Sequence, residues 1–230
     1  SASPYLTALG SGAGVNLGAS GLNNVAVGYQ ALNTNTSGDN NIAIGYQALF
    51  TSTGSFNIAI GDSALYSSTI QNTSLAIGQE ALYANTTGSA NTAIGYKALT
   101  ANTTGGSNVA LGHSSLDANT TASYNIAIGI ASLGANTTGP NNTAIGYQAL
   151  EDNTIGGKNV AVGHQTLKQN TTGENNVAVG NLALDNNTTA SYNTAVGSQA
   201  LDANTTGAQN TAIGYQVLDA NTTASYNVAV

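Results

Sequence analysis

The sequence predicts an all-β fold, a β-solenoid of about thirteen coils with a 17-residue repeat. Three observations carry this. A glycine after Ala-(Ile/Val/Leu) recurs at Gly28, Gly45, Gly61, Gly78, Gly95, Gly112, Gly129, Gly146, Gly163, Gly180, Gly197 and Gly214; ten of the eleven intervals are 17 residues and one is 16. The unit, Asn-x-Ala-(Ile/Val)-Gly-x-x-Ala-Leu-x-x-Asn-Thr-Thr-Gly-x-x, is built from poor helix formers. Its hydrophobic positions are short and evenly spaced, with turn residues between them.

Numbering the unit from its first Asn, positions two to five (Thr143, Ala144, Ile145 and Gly146, for example) read as a strand. Alternation puts positions two and four on one face, three and five on the other. The aliphatic fourth position, helped by Val25, Ile42, Ile58 and Val109 at the second, is expected to face inward. The opposite face then carries only Ala and Gly, which suggests a closely packed partner. Ala-Leu at positions eight and nine sends a second apolar plug into the core; the ninth is Leu in all twelve copies that reach it, Leu32 to Leu218. Asn-Thr-Thr-Gly supplies the turn: Asn and Gly tolerate positive φ, and Thr can hydrogen-bond locally. Stacking at ~4.8 Å makes an amide ladder of position twelve and a hydroxyl ladder of position thirteen.

Two large aliphatics per coil contribute on the order of 1.5–3 kcal/mol each, against on the order of 1–2 kcal/mol per residue ordered. A lone chain is thin on that comparison, and an oligomer is expected.

Residues 1–23 break the period and are expected to form an irregular cap or docking segment ahead of the repeat array, 24–230. The chain ends on Asn-Val-Ala-Val, an open apolar strand edge. It is expected either to be cut from a longer protein or to dock head-to-tail, which makes filaments.

Composition narrows the function classes. With no cysteine, neither a disulfide framework nor a thiolate metal site is available. Lys+Arg is 3 against Asp+Glu 10, a net charge of −7, so a basic footprint for nucleic acid or anionic membrane is missing. No apolar run approaches the ~20 residues of a membrane span, so no membrane insertion is expected in this segment. No cofactor is expected beyond weak Ca2+.

The run Asn-(Val/Thr)-Ala-(Ile/Val)-Gly, with Gly-bearing turns between copies, resembles the head repeats of YadA-type trimeric autotransporter adhesins. It is also similar to repeats of phage tail fibres and other surface filaments. The resemblance covers 24–230. It implies a left-handed parallel β-roll, a homotrimer, and a place on the cell surface, outside the cell or on a virion fibre. It also implies attachment to a host surface, matrix or glycan. The unit here is longer than the usual head repeat, Asn-Thr-Thr filling the extra turn, and no ligand-binding residues carry over.

Candidate sites are columns along the repeat. Tyr29, Tyr46, Tyr96, Tyr147 and Tyr215 share position six, an exposed column that could stack against glycan or a neighbouring fibre. Asp185, Asp202 and Asp219 occupy position ten in consecutive coils, with Asp117 and Glu151 in the same column, a candidate weak Ca2+ ladder. His113 and His164 at position six have no nucleophile or carboxylate fixed beside them, so no enzyme is expected. Nine position-twelve asparagines, Asn35 to Asn221, lie in Asn-x-(Ser/Thr) sequons, candidate glycan acceptors that the turn explains equally well. Adjacent Thr at thirteen and fourteen raise an ice-binding face, but neighbours on one strand point oppositely.

Overall fold

A computed structural model describes residues 5–17, 21–70 and 72–230. The chain divides into two compact units, Ser1–His113 and Ser114–Val230. Both are parallel β-solenoids, and no helix occurs among the described residues. The first unit holds β1 (Leu6–Leu9), β2 (Asn24–Val27), β3 (Ile42–Ile44), β4 (Ile58–Ile60), β5 (Leu75–Ile77), β6 (Thr92–Ile94) and β7 (Val109–Leu111). The second holds β8 (Ile126–Ile128), β9 (Thr143–Ile145), β10 (Val160–Val162), β11 (Val177–Val179), β12 (Thr194–Val196), β13 (Thr211–Ile213) and β14 (Val228–Ala229).

Within each unit every strand pairs in parallel with the next, in the register of the sequence repeat. Ala144 lies beside Ala161, and Ala161 beside Ala178. The one short unit keeps this register, Ala43 facing Ala59. The segment ahead of the array contributes a strand as well. Thr7-Ala8-Leu9-Gly10 repeats the strand motif 18 residues before its next copy, and β1 pairs with β2, Ala8 beside Ala26. Pro4 lies outside the described residues.

The strands face the opposite way from the sequence expectation. The position-three alanines, Ala26 through Ala212, are fully buried, while the position-two and position-four aliphatics point outward. Ile44, Ile128, Ile145, Val179 and Val196 each keep more than a third of their surface exposed. The reason lies in what else occupies the interior. Position nine does bury its leucine, with Leu32 through Leu201 fully inside, and position eight adds a small residue, usually Ala. Positions one and twelve are buried as well, asparagine in most coils and serine at Ser52, Ser68 and Ser74. One leucine, two polar side chains (usually amides) and small residues fill a 17-residue loop, leaving room for a methyl group at position three and not for isoleucine.

The buried amides are bonded throughout, as buried polar groups must be. At position one the side-chain carbonyl of Asn142 accepts the backbone N–H of Asn159, 2.9 Å, and its amide donates to Gly156 O, 2.9 Å. At position twelve Asn153 Nδ2 donates to Asn136 Oδ1, 2.8 Å, and to Gly156 O, 2.9 Å. Asn170 and Asn187 continue the same ladder at 2.8 and 2.9 Å. At position thirteen, Thr154 Oγ1 donates to the backbone carbonyl of Thr171, 3.0 Å, and Thr171 to that of Thr188, 3.0 Å. Both ladders expected from the sequence are present, together with the unforeseen one at position one.

The position-twelve Asn and position-fifteen Gly tolerate positive φ but do not take it. Positive φ falls at positions five, seven, nine and seventeen, as in Gly146 (φ 137), Gln148 (φ 54), Leu150 (φ 53) and Asn141 (φ 60). Left-handed backbone costs a non-glycine residue on the order of 1–2 kcal/mol. It recurs here because it turns each of these N–H groups toward a neighbouring coil. Gln148 N donates to Ile130 O (3.0 Å), Leu150 N to Thr166 O (3.0 Å) and Asn141 N to Ser123 O (3.2 Å). Position five admits only glycine, since a Cβ on Gly146 would run into the carbonyl of Gly163.

Candidate interaction surfaces

No cavity is found among the described residues, so the candidate sites are surface columns. The first is the outward face of the strands. In the second unit it carries Ile126 and Ile128, then Thr143 and Ile145, Val160 and Val162, and onward to Thr211 and Ile213. Strand residues two apart share a face, and in-register pairing stacks each on its counterpart. Ten Asp and Glu and three Lys make thirteen charged side chains in the chain, and none stands at position two or four. Sequence reasoning placed these aliphatics inside; the signal that could have corrected it was the invariant alanine at position three, too small for an outward strand face.

The tyrosine column lies beside this face, at position six. Tyr29, Tyr46, Tyr96, Tyr147 and Tyr215 are all exposed. They do not form one continuous stack, because other residue types interrupt the column. Tyr29 and Tyr46 stack on one another, centroids 5.4 Å apart and planes 14° apart. Tyr96 and Tyr147 each pack against a histidine of the following coil, His113 at 5.0 Å and His164 at 5.3 Å. In these pairs the rings cover one another's inner faces, while Tyr215 has no ring contact and is the most exposed of the five. A second aromatic stack at position ten was missed: Phe50, Tyr66 and Tyr83, with both centroid separations 5.1 Å and planes 4° and 10° apart.

The acidic column occupies position ten of the second unit. Glu151 pairs with Lys168 at 3.5 Å. Burial raises the Asp185 carboxyl above its usual value, the neighbouring Asp202 adds to this, and Asp185 Oδ1 has no hydrogen-bond partner. Burial likewise raises Asp202, opposed by a hydrogen bond from Asn186 Nδ2 at 3.3 Å. Asp152, at position eleven, is raised by burial and then by Glu151. Among the described residues no three His, Cys, Asp or Glu side chains converge on a point where a metal could sit, so Asp185, Asp202 and Asp219 follow one another along the column without forming a cage.

The sequon asparagines other than Asn221 are interior. Asn85, Asn102, Asn136 and Asn204 are fully buried, and their Nδ2 atoms are committed to the ladder. A glycan on Nδ2 is incompatible with the folded coil, and the periodic turn is the account that stands. The position-thirteen threonines spend their hydroxyls on the adjacent coil, so they offer no free rank to an ice lattice.

Compared with protein-family models, curated proteins and solved structures, the chain matches none.

Proposed function

We propose that the chain is an extracellular structural or adhesive fibre protein that works by packing side by side with further copies of itself. The supporting observation is the uncharged aliphatic face of the strands. The strands of the second unit set thirteen side chains outward, counting two for each of β8 to β13 and one for β14; ten are Ile or Val and three are Thr. At on the order of 60 Å² apiece they amount to roughly 800 Å², about what one partner contributes to a standard protein–protein interface. The occupant is the same face of further copies, since an in-register ladder repeats at a rise that another copy of the ladder shares. By the resemblance to YadA-type heads, the assembly would be a homotrimer on a cell surface or virion fibre. In that setting the exposed tyrosine column would meet host surface, matrix or glycan.

Mass in solution tests this, measured for the native chain and for the double variant Ile145→Asp, Val179→Asp. Both residues lie outward, so the substitutions leave the interior ladders intact. The native chain is expected at three times the monomer mass or as longer polymers. The variant is expected as a monomer with unchanged far-ultraviolet circular dichroism. A native chain that is monomeric at every accessible concentration would overturn the proposal.

A further inference from the structure

The two tyrosine–tyrosine stacks have a chemistry that a fibre reading does not use. Tyr66 and Tyr83 lie in adjacent coils with ring centroids 5.1 Å apart and planes 10° apart. Tyr29 and Tyr46 repeat the arrangement at 5.4 Å and 14°. Tyr29 and Tyr46 are about half exposed and Tyr83 more than a third, so their phenol edges can be reached from solvent. The chain contains no Cys, no Met and no Trp. These are the side chains that ordinarily absorb oxidising equivalents before or after tyrosine does. Here a tyrosyl radical has no such sink in its own chain, and at these two places it has a second phenol one coil away.

We propose that Tyr66–Tyr83 and Tyr29–Tyr46 are sites of oxidative cross-linking, each pair closing to a dityrosine that staples neighbouring coils covalently. The oxidant is a peroxide acting through a peroxidase. Each phenol gives up one electron and its proton and becomes a phenoxyl radical. The two radicals join through a carbon–carbon bond between their ortho positions. The hydrogen on each joined carbon then moves to the phenolic oxygen as the rings regain aromaticity. Two phenols and one hydrogen peroxide thus yield one dityrosine and two waters. The ring edges must swing toward each other for the bond to form, which exposed side chains at a surface column can do.

The sequence makes the specificity testable. Of eleven tyrosines, Tyr5, Tyr96, Tyr124, Tyr147, Tyr192, Tyr215 and Tyr226 have no tyrosine at the same position of an adjacent coil. Cleavage after Asp39, Asp62, Glu80 and Asp117 puts Tyr29, Tyr46, Tyr66 and Tyr83 on four different peptides, 1–39, 40–62, 63–80 and 81–117. The experiment treats the full chain with horseradish peroxidase and hydrogen peroxide, follows dityrosine fluorescence, and maps the joined peptides by mass spectrometry after that cleavage. Two products are expected: peptide 63–80 joined to 81–117, and 1–39 joined to 40–62, each short of two hydrogen atoms. Their yield should not change with protein concentration. Tyr66→Phe should abolish the first product and spare the second, and Tyr29→Phe should do the reverse; both variants keep the ring that packs in the stack. Joins spread over the unpaired tyrosines, the same pattern in urea-unfolded chain, or no dityrosine while peroxide is consumed would each overturn the proposal.

Discussion

Replacing Asn136 by Asp changes one group and almost no volume, and it strikes the feature on which the interior rests. Asn136 is fully buried. Its Nδ2 donates to Asn119 Oδ1 at 3.2 Å and to Gly139 O at 3.1 Å, while its Oδ1 accepts from Asn153 at 2.8 Å. Aspartate keeps the last bond and turns the first two into oxygen facing oxygen. Two bonds of about 1 kcal/mol each are lost, and a carboxylate is left without counter-charge in a dry interior, so about 3–5 kcal/mol of destabilisation is expected at neutral pH. Asn141→Asp is the control, an exposed position where the same chemical change should stay within about 0.5 kcal/mol. Urea unfolding followed by circular dichroism measures both. At acid pH the new carboxyl protonates and regains one donor toward Gly139 O, so part of the loss should return. An Asn136→Asp midpoint matching that of Asn141→Asp would refute the claim that the amide ladder holds the coils together.

Other substitutions separate interior from surface by the same measurement. Ala144→Leu should unfold its coil, at a cost of about 1–3 kcal/mol or more, because that alanine is fully buried among its neighbours. Leu150→Ala should cost about 2–5 kcal/mol, since it empties the one large side chain of its coil. Gly146→Ala should cost more than about 2 kcal/mol, because φ 137 is strained for any side chain and the methyl meets the Gly163 carbonyl. For Asp185 the sign follows from its raised folded pKa. Its protonated form is favoured by folding, so the stabilisation it brings is fully present below the usual carboxylate value and is lost as pH rises through the folded one. The native chain should therefore gain stability on acidification from neutral pH, and Asp185→Asn should be more stable at neutral pH with a flatter profile. A native profile that falls monotonically with acid would contradict this.

The period, the strand, the leucine plug and the Asn and Thr ladders were legible because each is a statement about spacing, and stacked coils turn spacing directly into contact. Orientation was not legible from the same pattern. A strand with isoleucine on one face and alanine on the other reads as isoleucine inward when apolar burial is the only rule applied. That rule fails at Ile145 and Ala144 because it ignores how much volume the coil already holds. Asn153, read as part of the turn, and Asn142, which the pattern gave no place, take interior space that only small residues can share. The corner conformations were hidden for a similar reason. Leu150 and Gln148 carry no mark of left-handed backbone, which their inter-coil hydrogen bonds impose from outside the residue. The β1 strand was missed because its glycine stands 18 residues before the next, one step off the period.

The inverted strand explains why a chain with so small a core repeats so faithfully. An interior of interchangeable aliphatics tolerates slippage, since leucine packs on valine almost as well as on leucine. An interior of amides does not. Asn153 Nδ2 must find Asn136 Oδ1, and the Asn159 N–H must find Asn142 Oδ1, each one coil away, so a coil displaced by one residue leaves buried donors unpaired. Register is therefore enforced by hydrogen bonds, at the expense of apolar burial inside the coil. The aliphatic side chains displaced outward then supply apolar surface where a second chain can cover it. On this reading stability and assembly are one property: the coil is specified by its asparagines, and much of its hydrophobic stabilisation is deferred to the contact between copies. The corresponding prediction is that melting temperature rises with protein concentration for the native chain and is independent of it for Ile145→Asp, Val179→Asp. Concentration-independent melting of the native chain would separate the two properties and leave the aliphatic face unexplained.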